Sequence, residues 1–272
     1  MDILRSTGTA LDAILSYKRD EVEAAKAAIP LSLLKSQAAA APHPRGFAAA
    51  LSKIASKGEN ALICELKRKS PSAGEILPGA DPLVIAKEYE AGGAACLSIL
   101  TDGPSFGGSL TDLDEIHRGV ALPLLRKDFM VDPWQVIEAR AHGADAILVI
   151  MAAVDDLLAR ALCDAALEYS MDILVEVHDA AELDRARPLP ISLLGINNRN
   201  LKTMSTDLVV TETLAPFVPP EMMLVSESGV RDEADILRLR ASGARRFLIG
   251  ESLMKENDRI ATVEALRNTG RV

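Results

Sequence analysis

Aromatic residues are scarce in this chain: Phe, Trp and Tyr make up 3% of its 272 residues, against 49% for hydrophobic residues as a whole. Its core must therefore be built from Ala, Leu, Ile and Val, and each ring needs its own explanation. Cysteine is scarce as well. Cys64, Cys96 and Cys163 are odd in number, with no CxxC spacing and no clustered histidines, which argues against a disulfide framework and a structural zinc site. They read as small buried hydrophobes in a reducing cytoplasm. Basic charge is in deficit, with 30 Lys and Arg against 39 Asp and Glu and a formal net charge of −9. Recognition of nucleic acid or of an anionic membrane through a general basic field is disfavoured by that balance, while a local basic pocket is compatible with it. No apolar run reaches the roughly 20 residues of a membrane-spanning helix. The start, MDILRSTGTALDAILSYKRDEVEAAK, has early acidic residues and no apolar block, unlike a secretory signal.

What the chain has in plenty is short runs of Ile, Val and Leu. They are ALICELK from Ala61, AACLSIL from Ala94, LPLLRKD from Leu122, ADAILVI from Ala144, MDILVEV from Met171, ISLLGIN from Ile191, MMLVSES from Met222 and RRFLIGE from Arg245. Between them lie amphipathic segments such as DPLVIAKEYEAGG, DPWQVIEARAHG, AVDDLLARALCDAALEYS and EADILRLRASG, whose apolar residues repeat at helical spacing and often end in Gly or Ala. Eight strand and helix units at this spacing predict an α/β fold of the (β/α)8 TIM-barrel type, for which about 250 residues is typical. The competing doubly wound sheet would carry a Gly-rich phosphate loop after its first strand, and CELKRKSPSAG has no such pattern.

The first strand begins near Ala61, so residues 1–60 are expected as an N-terminal helical extension capping a barrel of residues 61–272, all one domain. LDAILSYKRDEVEAAKA reads as one amphipathic helix with Leu11, Ile14, Leu15 and Val22 on its buried side. A linker, AAAAPHPRG, and a second short helix, FAAALSKIASK, then lead into the first strand.

Catalytic residues in such barrels sit at the C-terminal ends of strands, where alternate residues point inward. The first strand places Ile63, Glu65 and Lys67 on one face, so two opposite charges enter the mouth together. As a buried ion pair they would be a poor source of stability, which favours a functional role. The third strand ends with Leu125, Lys127 and Phe129 on one face, and the fifth carries Glu176 alone among apolar neighbours. Lone charges in such strands are costly unless paired, so Glu65, Lys67, Lys127 and Glu176 are expected to form one acid and base set without a metal. After the sixth strand, Asn197 and Arg199 offer groups suited to hydroxyl, carboxylate or phosphate oxygens; a solvent-facing turn explains Asn198 and Asn200 equally well. The seventh and eighth strands end in SESGVRDEAD and LIGESLMK, each delivering a Gly just before an expected helix start, as phosphate sites require. His43, His117, His142 and His178 have no metal-ligand spacing and no Ser partner, and surface or cap roles are expected for them; His178, just after the fifth strand, is the one nearest the site.

CELKRKSPSAG, ILTDGPSFGGS, LLRKDFMVDPWQVIEARAHGADAILVI, LVEVH, LGINNRNL, VSESGV and FLIGESLM resemble, in order and over nearly the whole chain, the signature segments of the indole-3-glycerol-phosphate synthase family. The resemblance implies a carboxy-lyase of tryptophan biosynthesis that closes an indole ring without a cofactor, giving indole-3-glycerol phosphate, carbon dioxide and water from 1-(2-carboxyphenylamino)-1-deoxyribulose 5-phosphate. It implies Lys127 as the general acid on the substrate ketone and Glu176 as the base. Glu65 orients Lys127 or shares in proton transfer, and Lys67 holds the substrate carboxylate, the division of later steps between the two lysines staying open. Ser70, Pro71, Phe106 and Phe129 are implied at the aromatic and carboxylate end, Asn197 and Arg199 in the middle, and Glu227, Ser228, Gly229 and Gly250 at the ribulose phosphate end. Glu251 departs from the small hydroxyl residue that many members carry; its backbone N–H is expected to bind phosphate with the side chain turned outward, and Ser252 to supply the nearest hydroxyl.

The expected partner is thus a small phosphorylated molecule, taken up by a cytoplasmic monomer that makes transient contact with other enzymes of the pathway. A related phosphosugar barrel such as phosphoribosylanthranilate isomerase would share the phosphate loops and use a different catalytic pair. A non-catalytic scaffold would have lost at least one of the four interior charges, and all four are present.

Overall fold

In the computed structural model, which describes residues 4, 8–71 and 73–271, every apolar run becomes a strand. These are β1 (Ala61–Leu66), β2 (Cys96–Leu100), β3 (Leu124–Lys127), β4 (Ala146–Ile150), β5 (Asp172–Val177), β6 (Leu193–Asn197), β7 (Met223–Glu227) and β8 (Arg246–Ile249). All pair in parallel and close in the order β1-β8-β7-β6-β5-β4-β3-β2. A parallel strand covered on both faces has no solvent side, so its sequence runs nearly unbroken in Leu, Ile and Val; β1 and β4 are buried at every residue. The chain is thus an α/β protein with the (β/α)8 architecture and helices ahead of the barrel.

Most of the barrel helices start where an aspartate or serine side chain accepts the first free N–H groups, Val209–Leu214 and Glu251–Lys255 being without one. Asp81, Ser109, Asp132, Asp155, Asp179, Asp232 and Asp258 do this ahead of successive barrel helices, and at Asp132 the Gln135 side chain completes a capping box. Part of the acidic surplus is therefore spent on helix starts, where the backbone dipole also favours negative charge.

Three helices precede β1: α1 (Ala10–Ala28), α2 (Leu31–Ala40) and α3 (Phe47–Ala55). Helix α2 was not expected, and it takes up the first three residues of the expected linker. Alanines favour helix where packing supports them; Leu34 and Ala38 bury against Trp134 and Ile137, and the chain leaves the helix at Ala41, ahead of Pro42. Leu11, Leu15 and Val22 of α1 join the barrel core as expected, whereas Ile14 is only half-buried. Asp172 Oδ2 accepts from the Ala48 N–H at 2.9 Å and Asp145 Oδ1 from the Arg45 N–H at 2.7 Å, which fixes the start of α3 at the N-terminal ends of β4 and β5. Lys18 and Tyr17 of α1 bond instead to Asp102 and Asp128, beyond the C-terminal ends of β2 and β3. The extension thus clasps the barrel at both ends.

Candidate active site

Four strands bring their charges to one point at the C-terminal mouth. Lys127, the last residue of β3, has its ammonium 3.6 Å from Glu176 Oε2 of β5 and 4.0 Å from Glu65 Oε2 of β1. Lys67, just past β1, pairs with Glu65 Oε1 at 2.8 Å, and Ser98 of β2 donates to Glu65 Oε2 at 3.1 Å. Glu227 ends β7 in register with Asn197 of β6. It fits only because Gly195 has no side chain, since a Cβ there would collide with Glu227 Oε1. Gly250 leaves similar room for Glu65, whose Oε1 would lie 2.8 Å from an added Cβ.

Burial and neighbours set the protonation states. Burial works against a charged Lys127, yet Glu176, Glu65 and Glu227 together hold its ammonium above the ordinary lysine range. Burial likewise opposes an ionised Glu176, and Lys127 and then His178 overcome it, holding the carboxyl well below its usual range. For Glu65, burial is outweighed by Lys67 and Lys127, and the pKa falls. Glu227 goes the other way: burial first, then the negative charge of Glu176, push it well above the usual carboxylate range. The site thus favours a protonated lysine between two carboxylates, with a carboxyl at Glu227 that resists ionisation beside them.

Two adjoining cavities of about 140 and 370 Å³ meet at this cluster. The first is largely apolar and contains Ser70, Pro71, Phe106, Phe129, Asn197 and Arg199. Phe106 and Phe129 stand with ring centroids 6.1 Å apart and planes tilted by 35°. Leu11 and Ile14 of α1 also line it, a contribution hidden by their apparent core spacing in the sequence. The second cavity holds Glu227, Ser228, Gly229, Gly250, Glu251 and Ser252, with Arg231 and Lys255 at its rim. Lys67, Lys127 and Arg199 border both.

Several local expectations change. Gly250 does cap a helix, Glu251–Lys255, but Gly229 does not: the next helix begins at Glu233, and Ser228 and Gly229 instead form a left-handed pair with φ of 64° and 92°. The Glu251 side chain is not turned away from the basin. Lys255, one turn on, holds Oε1 at 2.7 Å, and Arg199 lies 4.0 Å from Oε2. The Ser252 hydroxyl donates to the Val230 carbonyl at 2.9 Å. Asn198 is buried rather than solvent-facing; its amide donates to Glu227 O at 3.0 Å and Ser228 O at 2.9 Å, while its oxygen accepts from the N–H and hydroxyl of Thr211. Asn200 does face solvent and accepts from Lys202 and Thr203 N–H groups. Among the histidines, His43 is exposed and His142 pairs with Asp114, but His178 is neither a surface nor a cap residue. Its ring lies between Glu176 and Glu182.

Titratable groups pressed together at the C-terminal mouth of a closed barrel define an acid–base enzyme of the (β/α)8 class. Solved structures bear out the fold: the tryptophan synthase alpha subunit from Legionella pneumophila superposes with a TM-score of 0.61 at 12% identity, covering 84% of this chain and 98% of its own. The thiamine phosphate pyrophosphorylase from Pyrococcus furiosus does so with a TM-score of 0.57 at 16% identity, covering 77% and 94%. The particular family comes from sequence. A family model for indole-3-glycerol phosphate synthase matches residues 11–266. Proteins of that name from Hyphomonas neptunium and Rhodospirillum rubrum are 61% and 52% identical, over 91% and 97% of this chain and 94% and 98% of theirs. The chain belongs to the indole-3-glycerol phosphate synthase family. It is accordingly a decarboxylating lyase of tryptophan biosynthesis.

Proposed function

We propose that the mouth divides the work of indole ring closure among the residues that line it. The observation that carries this reading is Lys127, protonated, between Glu65 and Glu176 at the junction of an apolar and a polar cavity. The carboxyphenylamino ring suits the cavity walled by Phe106 and Phe129, and the ribulose phosphate suits the basin at Ser228, Gly229, Gly250, Glu251 and Ser252. There Arg199, Lys255 and backbone N–H groups supply positive potential.

In that pose a ring carbon forms a bond to the substrate ketone carbon, and the ketone oxygen takes the Lys127 proton to become a hydroxyl. A fixed ammonium in a water-poor site stabilises the charge developing on that oxygen far better than solvent does. Carbon dioxide then leaves, its bonding electrons restoring the aromatic ring. Dehydration follows: the hydroxyl departs as water with a proton from a lysine, and Glu176 takes a proton from the neighbouring carbon to form the double bond. Glu65 holds Lys127 and Lys67 in place, Lys67 meets the substrate carboxylate, and Ser70, Pro71, Asn197 and Glu227 frame the substrate. Residues 1–60 act in this reading as a cap on a single barrel domain, because α1 contributes Leu11 and Ile14 to the aromatic cavity.

Appearance of indole fluorescence from the carboxyphenylamino substrate tests the reaction. Lys127→Ala should lower kcat by about 10²–10⁴-fold and leave substrate binding largely intact, since the interaction belongs to the transition state. Lys67→Ala should impair both KM and kcat. Folded Lys127→Ala with an unchanged kcat would remove Lys127 from the mechanism.

A further inference from the structure

His178 is a half-buried titratable group for which the proposed mechanism has no use. It directly follows β5, and its ring nitrogens face two carboxylates: Nε2 is 3.2 Å from Glu176 Oε1 and Nδ1 is 3.0 Å from Glu182 Oε2. The first contact is a close ion pair and not an aligned hydrogen bond. Glu182 is itself fixed, for its Oε2 accepts the His178 backbone N–H at 2.8 Å and its own N–H is capped by Asp179 Oδ1 at 2.8 Å. The opposite oxygen of Glu176, Oε2, is buried, has no aligned hydrogen bond among the described residues and faces Lys127 at 3.6 Å.

We propose that His178 is a positioning residue for the proton-accepting step: clamped by Glu182, its ring holds Glu176 Oε1 from behind and leaves Oε2 as the oxygen presented to substrate. The proposal rests on the reading of Glu176 as the base. Around Glu176 stand Lys127 from β3, Asn197 from β6 and Glu227 from β7, with Glu65 beyond Lys127 and Glu182 beyond His178. Only Lys127 and His178 among these are cations, and they differ in one respect. Lys127 gives up its proton in ring closure, so its positive charge is not constant through the cycle. His178 lies behind the carboxylate, away from Lys127, and its charge persists. Burial opposes that charge, but Glu176 and Glu182 raise the imidazole pKa to about 10, which favours the imidazolium well beyond the ordinary histidine range. A cation at this distance lowers a carboxylic acid pKa by about 1 to 3 units, which keeps Glu176 ionised and ready.

The test is the pH dependence of kcat in wild type, His178→Gln and Glu176→Gln, each checked for a native melting transition. Gln keeps a donor near Glu176 Oε1 and removes the charge. Its acid limb should move to higher pH by about 1 to 3 units while the alkaline limb stays; an unmoved acid limb overturns the proposal. In parallel, imidazole proton shifts should show His178 protonated past pH 8 in wild type and titrating nearer 6.5 in Glu176→Gln. A His178 ring already neutral at pH 8 in wild type overturns it equally. Glu176→Gln separates the layers: full kcat there removes the base itself, whereas an inactive Glu176→Gln beside an unshifted His178→Gln removes only the role of His178.

Discussion

Glu227 shows what the site costs the fold. It is 1% exposed, its Oε1 has no aligned hydrogen bond among the described residues, and it occupies the space that Gly195 leaves open. Burial and the nearby Glu176 raise its pKa, so the folded state holds it neutral at a pH where the unfolded chain ionises it. For a raised pKa the stabilising share is complete below the ordinary value, about 4.5, and is lost as pH climbs towards the folded value. Glu227→Gln should therefore melt above wild type, with the gap wider at pH 8 than at pH 5 by differential scanning calorimetry. An equal or lower Tm at pH 8 would contradict this. None of it was legible in SESGV alone, because the shift depends on a carboxylate from a strand two places round the barrel. The same limit applies to Asn198, whose partners Thr211 and Glu227 lie far along the chain; His178 instead meets Glu176 two residues back and Glu182 four residues on, a spacing that VEVHDAAE does carry.

Helix α1 reaches across to two strand ends through a single side chain. Lys18 is 1% exposed and pairs with Asp102 Oδ1 at 2.9 Å and Asp128 Oδ1 at 3.0 Å. Asp102 also caps the short helix ending in Phe106, and Asp128 lies between Lys127 and Phe129. Arg126 extends the network, binding Asp128 Oδ2 at 3.1 Å and Glu138 Oε2 at 2.8 Å. Removing one partner from such a group strands charge in the interior, at about 3–5 kcal/mol. Lys18→Met should lose stability of that order in urea unfolding, and KM should rise because Phe106 and Phe129 are no longer held; a loss under about 1 kcal/mol would show that the network relaxes. Lys18 falls at helical spacing between Leu15 and Val22 on the buried stripe, but the aspartates it meets lie far down the chain, so its role stayed out of reach. The eight strands were legible for the opposite reason, since burial on both faces imposes a run that nothing else in the chain imitates. Helix α2 was missed because its buried stripe is only Leu34 and Ala38.

For the molecule as a whole, the shifted groups fix the pH at which it is hardest to unfold. Glu65, Glu176 and Asp128 have lowered pKa values, so their contributions are present above about 4 and are lost as pH falls. His178 is raised to about 10, and its contribution is complete below about 6.5 and fades as pH rises towards its folded value. Glu227 acts in the same direction from about 4.5 upward. Tm should therefore peak on the acid side of neutrality, near pH 5–6 by rough reckoning, and decline steadily to pH 10. Circular dichroism melts across that range check it, and His178→Gln should flatten the alkaline decline. A plateau from pH 6 to 10 in wild type would show that these groups carry little of the stability.

The seam between β1 and β8 puts Gly250 against Glu65. During synthesis β1 leaves the ribosome long before β8, and until the last strand docks Glu65 has no wall on that side. The nascent chain can keep this carboxylate in water at no electrostatic penalty, and burial arrives only together with Lys67 and Lys127. Burial of the first strand's carboxylate therefore waits for the strand that closes the barrel.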